Sequence, residues 1–94
     1  MGEDQRTARR WIDEVSFIEI RVVRLSEPLD GSEHPYKYSL ALVVAGECVL
    51  RYDNDRGKGD HKHEGEAESA YVFTTLSQLL SDFKADVRRI LNNG

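Results

Sequence analysis

Hydrophobic and polar residues alternate along the first half of the chain, as they do in half-buried β-strands. Apolar positions recur every second residue between Val15 and Leu25 and again between Tyr36 and Ala45. A third alternating run extends from Cys48 to Asp53, and Ala70 to Thr74 forms a fourth, shorter one. The dipeptide Gly46-Glu47 separates the second and third runs, which is typical of a type II′ hairpin turn. The pattern therefore predicts four strands, with Cys48 as a core residue.

The clearest predicted element is a helix from Thr75 to Leu91. Thr75 and Gln78 have the spacing of a capping box at its start. Arg88 and Arg89 lie in its last turns, where positive charge is favourable. Its apolar residues recur with the helical period and form one wide stripe: Leu76, Leu79, Leu80, Phe83, Val87, Ile90 and Leu91.

Residues 1–13 allow two interpretations. The first is a frayed polar segment, with Trp11 at the start of the first strand. The second is a short N-terminal helix, because Ala8, Trp11, Ile12 and Val15 are spaced for one helical face. Ninety-four residues suffice for one domain. We therefore predict a single α+β domain over residues 1–94, a four-stranded, mostly antiparallel sheet with one face covered by the C-terminal helix.

Composition narrows the function classes. Hydrophobic residues make up 39% and charged residues 32%, a globular balance, and the formal net charge is −4. Because nucleic-acid-binding domains are usually basic, any RNA contact must come from a local patch. The single cysteine excludes a disulfide within the chain. The longest apolar stretch, Leu40 to Gly46, is too short to span a bilayer, so we expect a cytoplasmic protein with no membrane contact.

Residues 54–68 are almost entirely polar, and a polar loop of this length is usually functional or disordered. His61 and His63 lie in it at i and i+2. One interpretation is a solvated turn whose glycines adopt positive φ. Another is a metal site, since His-x-His on an extended segment puts both imidazoles on one side and Asp60 or Asp53 could add oxygen ligands. No cysteine pair completes a tetrahedral set, so no metal and no other cofactor is expected.

A third interpretation is acid–base cleavage of RNA. His61 and His63 are then the catalytic acid and base, and Asp53 or Asp60 orients an imidazole. Side-chain charge and backbone amides nearby would hold the phosphate. The candidate phosphate-binding residues are Arg51, Asn54, Arg56, Gly57, Lys58 and Gly59. Their spacing is not that of a Walker A loop, so nucleotide hydrolysis is excluded.

These residues resemble the signature of the TumE family of small prokaryotic proteins. The resemblance rests on Arg51-Tyr52-Asp53-Asn54, on Gly57-Lys58-Gly59-Asp60-His61 with His63, and on flanks that include Asp82-Phe83. It covers roughly residues 15–91. The family is the toxin half of a toxin–antitoxin pair, so the resemblance implies a cognate DNA-binding antitoxin. RNA cleavage is the expected activity by analogy with other small α+β toxins.

We therefore predict a toxin of a type II pair that acts on RNA as a metal-independent acid–base endoribonuclease. The alternative is a non-enzymatic module that uses residues 54–63 to bind a protein or a metal. The sheet face opposite the helix carries Ser39, Ala41, Val43 and Val49 and is partly apolar. Such a face predicts pairing, either as a homodimer or with the antitoxin.

Overall fold

The fold is an antiparallel sheet with one helix packed on it, seen in a computed structural model that describes residues 4–28, 33–55 and 59–92. Every strand pairs with the next strand in the chain, so order in the sheet and order in the chain are the same. The elements are β1 (Asp4–Trp11), β2 (Ser16–Arg24), β3 (Tyr36–Val44), β4 (Glu47–Asp55), β5 (Gly59–Glu64), β6 (Ala67–Ala70) and α1 (Leu76–Asn92). The predicted α+β class is confirmed, but the sheet has six strands instead of four.

The N-terminal segment is a strand, so the alternatives of a short helix and of a frayed segment are wrong for residues 4–11. β1 pairs with β2 over its whole length, and the ring of Trp11 lies 4.8 Å from that of Phe17. Trp11, Ile12 and Val15 are all exposed. None of the three belongs to the core, so pairing with β2 determines the conformation of this segment.

The polar segment 54–68 forms the end of β4, all of β5 and part of β6, not one loop. Periodicity could not reveal these strands because both faces of β5 are polar: His61 and His63 alternate with Lys62 and Glu64. The predicted strand Ala70–Thr74 is also wrong. β6 ends at Ala70, and the residues that follow leave the sheet, where Tyr71 and Phe73 pack against the core.

The β3–β4 hairpin turns one residue earlier than predicted. Val44 pairs with Glu47, so the central residues are Ala45 and Gly46, with φ of 51° and 82°. Two positive φ values define a type I′ turn, not type II′. The register then shifts between Leu42 and Val43, and the resulting bulge leaves Cys48 exposed rather than in the core.

The core lies between α1 and one face of the sheet. Thr75 caps the helix, since its Oγ1 accepts a hydrogen bond from the amide of Gln78 at 3.0 Å. The side chain of Gln78 donates to Asp82 instead of reaching back, so only half of the capping box forms. The buried hydrophobic residues are Val22, Tyr38, Leu40, Leu42, Leu50, Tyr52, Leu79, Phe83 and Val87. No helix among the described residues has the length and hydropathy to cross a membrane.

Candidate functional site on the open face of the sheet

The second face of the sheet, here called the open face, carries mostly polar residues in two rows that cross the strands. The rows arise because paired residues in an antiparallel sheet point to the same side. The first row is Arg21, Ser39, Asp53 and His61, one residue from each of β2 to β5. The second row is Glu19, Ala41, Arg51, His63 and Glu68, from β2 to β6.

Four neighbouring residues of these rows form the carboxylate–histidine cluster: Asp53, His61, His63 and Glu68. His61 Nε2 lies 2.8 Å from Asp53 Oδ1 and 3.7 Å from Glu68 Oε2. His63 Nε2 lies 3.3 Å from Glu68 Oε2 and 3.8 Å from Asp53 Oδ1. Two imidazole nitrogens and two carboxylate oxygens therefore converge on one small volume.

The cluster is buried on the Asp53 side and open on the Glu68 side. Asp53 and His61 are 9% and 7% exposed, whereas the Glu68 side chain is 52% exposed. His61 was predicted in an exposed loop, and the structure instead buries it on a strand. Asp53 Oδ1 and His63 Nε2 have no hydrogen-bond partner among the described residues, although both are inaccessible to solvent. The 2.8 Å approach of His61 to Asp53 is thus a close contact without hydrogen-bond geometry.

Neighbouring groups fix the orientation of the two buried residues, His61 and Asp53. His61 Nδ1 lies 3.2 Å from the carbonyl oxygen of Gly59, which can only accept, so Nδ1 donates to it. Nε2 then faces Asp53 Oδ1. Arg51 Nε lies 3.0 Å from Asp53 Oδ2, which leaves Oδ1 directed into the cluster.

Asp60 lies on the opposite side of the sheet from the cluster. Adjacent residues of a strand point to opposite faces, so Asp60 and His61 cannot share a site. Asp60 Oδ2 accepts a hydrogen bond from the Tyr38 hydroxyl at 2.7 Å and lies 2.7 Å from His34 Nε2. The His34 ring stacks on Phe73 at 3.8 Å. Burial, together with the bond to Asp60, raises the pKa of the Tyr38 hydroxyl, which therefore stays a donor.

The predicted phosphate-binding residues also lie in different places and do not form one site. Arg51 lies on the open face beside Asp53. Asn54 is 1% exposed, and its side chain bonds the amide of Tyr38 and the carbonyl of Tyr36, at 2.9 and 2.7 Å, so it ties β4 to β3. Gly59 contributes its carbonyl to His61. Arg56, Gly57 and Lys58 lie outside the described residues.

Sequence reasoning missed Glu68, Arg21 and Lys37. Glu68 could have been found by taking Gly65 as part of a two-residue turn, since its φ is 60° and Glu64 pairs with Ala67 across it. Arg21 and Lys37 line a cavity of about 230 Å³ together with Asp53. Only the sheet register shows that these cations border the cluster.

One comparison with known proteins identifies the chain. A family model described as Toxin TumE matches residues 2–91, nearly the whole length, and includes every residue of the cluster. No curated protein matches the chain, and no solved structure matches it. The resemblance predicted from the sequence is confirmed, and membership of a toxin family implies an antitoxin partner. The chain belongs to the Toxin TumE family.

Proposed function

We propose that this toxin belongs to a type II pair and inhibits growth by cleaving RNA at the carboxylate–histidine cluster. The observation that carries the proposal is the position of the cluster. It lies on the face of the sheet that α1 does not cover, and cationic side chains border it. The cluster is open on the Glu68 side, where an extended polymer can approach it.

The cations around the cluster supply the local positive charge that the net charge of −4 does not. Arg51 contacts Asp53 through Nε, and its side chain is 46% exposed. A guanidinium carries five N–H donors, so one contact leaves others for a phosphate. Arg21 and Lys37 extend the positive surface across β2 and β3. A strand of RNA that follows the first row would therefore pass over these cations.

The reaction we propose is transesterification within the RNA. The 2′-hydroxyl gives its proton to the cluster while its oxygen attacks the adjacent phosphorus. The bond from phosphorus to the 5′-oxygen breaks, and that oxygen takes up a proton from water as it leaves. The products are a 2′,3′-cyclic phosphate and a 5′-hydroxyl. The cluster activates the attacking hydroxyl, and Arg51 stabilises the negative charge that develops on the phosphate.

The test combines growth, stability and RNA cleavage. Expression without the antitoxin should arrest growth, and Asp53→Asn or His63→Ala should relieve the arrest. Each change should lower the rate of RNA cleavage by roughly a hundred- to ten-thousand-fold, the loss typical of a removed catalytic group. Phe83→Ala is the stability control. Phe83 is fully buried, so its truncation should cost about 3–5 kcal/mol and abolish folding and toxicity together.

A thermal melt of each variant separates loss of chemistry from loss of fold. Lys84→Ala provides a matched control for charge, because Lys84 is an exposed cation on α1, away from the open face. It should leave toxicity unchanged, whereas Arg51→Ala should reduce it. Asp53→Asn and His63→Ala proteins that melt normally and remain fully toxic would refute the proposal and favour a binding module. RNA fragments that lack 5′-hydroxyl ends would refute the proposed reaction.

A further inference from the structure

Four of the six distances between the ligand atoms of the cluster lie close to those of a metal site. A tetrahedral ion with bonds of about 2.0–2.1 Å to nitrogen and oxygen holds its ligand atoms about 3.3–3.4 Å apart. The distances from the two imidazole Nε2 atoms to Asp53 Oδ1 and Glu68 Oε2 are 2.8, 3.3, 3.7 and 3.8 Å, which bracket that value. The ligand atoms of Asp53, His61 and His63 all lie within 4.8 Å of one another.

The hydrogen bonding of the cluster also indicates a metal site. Asp53 Oδ1 and His63 Nε2 are buried and have no hydrogen-bond partner among the described residues. His61 Nε2 faces the negative Oδ1 at 2.8 Å without hydrogen-bond geometry, so a cation between the two atoms would stabilise the pair. A single positive ion would satisfy all three atoms, whereas a water molecule could donate only two hydrogens.

Groups outside the cluster hold the ligands as they do around known metal ions. A metal-binding histidine usually donates its second nitrogen to a carbonyl or carboxylate, which fixes the ring. His61 Nδ1 has such a partner in the Gly59 carbonyl at 3.2 Å. Arg51 binds Asp53 through Oδ2 only, at 3.0 Å, and so leaves Oδ1 directed at the centre.

We infer that Asp53, His61, His63 and Glu68 bind one divalent transition-metal ion, with zinc as the best fit. Two imidazoles and two carboxylates suit zinc, whereas calcium and magnesium prefer sites made of oxygen alone. This inference replaces the expectation of a metal-free site. It stands without the proposed function, because it depends on ligand geometry and not on RNA. If RNA is the target, the ion would activate the attacking 2′-hydroxyl.

The experiment measures binding of Zn²⁺ and Co²⁺ to protein first stripped of metal by a chelator. Calorimetry should give one ion per chain, and Co²⁺ should produce the intense visible absorption of a tetrahedral complex. His63→Ala and Glu68→Gln should each weaken Zn²⁺ binding by at least about tenfold. Glu66→Gln is the matched control, since Glu66 is an exposed carboxylate in the adjacent turn and should leave binding unchanged.

Binding that is absent, or that is equal in the parent protein, His63→Ala and Glu68→Gln, would overturn the inference. The Glu68→Gln variant keeps the test decisive if His63→Ala fails to fold, because Glu68 is half-exposed and the amide preserves its shape. RNA cleavage is measured separately on the same samples. Protein that binds Zn²⁺ but leaves RNA intact would uphold the ion site and refute the proposed function.

Discussion

Tyr52→Phe tests how a buried hydroxyl joins α1 to the sheet. Tyr52 is 1% exposed, and its ring packs edge-on against Tyr71 and Phe83. Its hydroxyl donates to Asp86 Oδ2 on α1. Phenylalanine keeps the ring contacts and removes this bond together with a longer one, of 3.4 Å, to the backbone carbonyl of Asp82. The bond to the charged acceptor should account for most of the loss, typically about 1.5–3 kcal/mol.

The remaining partners of Asp86 reduce that figure. Lys62 Nζ lies 3.1 Å from Asp86 Oδ2, and Arg89 Nη2 lies 3.3 Å from Oδ1. The carboxylate therefore stays compensated, and its side chain is 17% exposed. We expect Tyr52→Phe to lower the free energy of unfolding by about 1–2 kcal/mol, where each kcal/mol corresponds to about 4–8 °C in melting temperature.

Urea denaturation in a double-mutant cycle isolates the interaction. Tyr52→Phe is measured in the parent protein and in an Asp86→Ala background. The first loss should be about 1–2 kcal/mol, and the second should fall to a few tenths, because the acceptor is already gone. Equal losses in both backgrounds would show that the hydroxyl contributes through something other than Asp86 and would refute the reasoning.

Two further predictions concern a turn and acid stability. Ala45 has a φ of 51°, which asparagine tolerates better, so Ala45→Asn should raise the free energy of unfolding by about 0.5–1 kcal/mol in urea melts; a loss would contradict the turn assignment. Burial favours a higher pKa for Asp86, but hydrogen bonds from Tyr52 and Lys62 outweigh it and lower the pKa. The resulting stability is present above the ordinary pKa of an aspartate, about 3.9, and is lost as pH falls below it, so Asp86→Asn should flatten that decline; unchanged acid melting curves would contradict this.

The sequence predicted those elements in which one face is apolar and the other polar. β2, β3 and α1 meet this condition, and their extents agree with the structure within one or two residues. β1, β5 and β6 do not meet it, because their polar residues occur on both faces. These three strands form through hydrogen bonds to a neighbouring strand, and such pairing cannot be predicted from hydrophobic periodicity.

Only part of the candidate site could be predicted, because the sequence does not show which strands pair or which face a residue occupies. Asp53, His61 and His63 are close in sequence, and the structure brings them together. Asp60 is equally close, but strand alternation directs it to the other face, which a loop prediction could not foresee. Glu68 joins the cluster only through the β5–β6 register. The roles of these residues and the homodimer remain predictions.

The identity of chain order and sheet order has a consequence for folding. Each strand after β1 pairs with the strand that precedes it in the chain, so the sheet can grow hairpin by hairpin at low contact order. The core cannot close in that way, since Leu79 and Phe83 come from the element that follows all six strands. Leu40, Leu42 and Leu50 therefore stay uncovered on a growing chain until α1 has been made. During that interval the nascent sheet exposes its apolar face, and it is then most prone to aggregate or to recruit a chaperone.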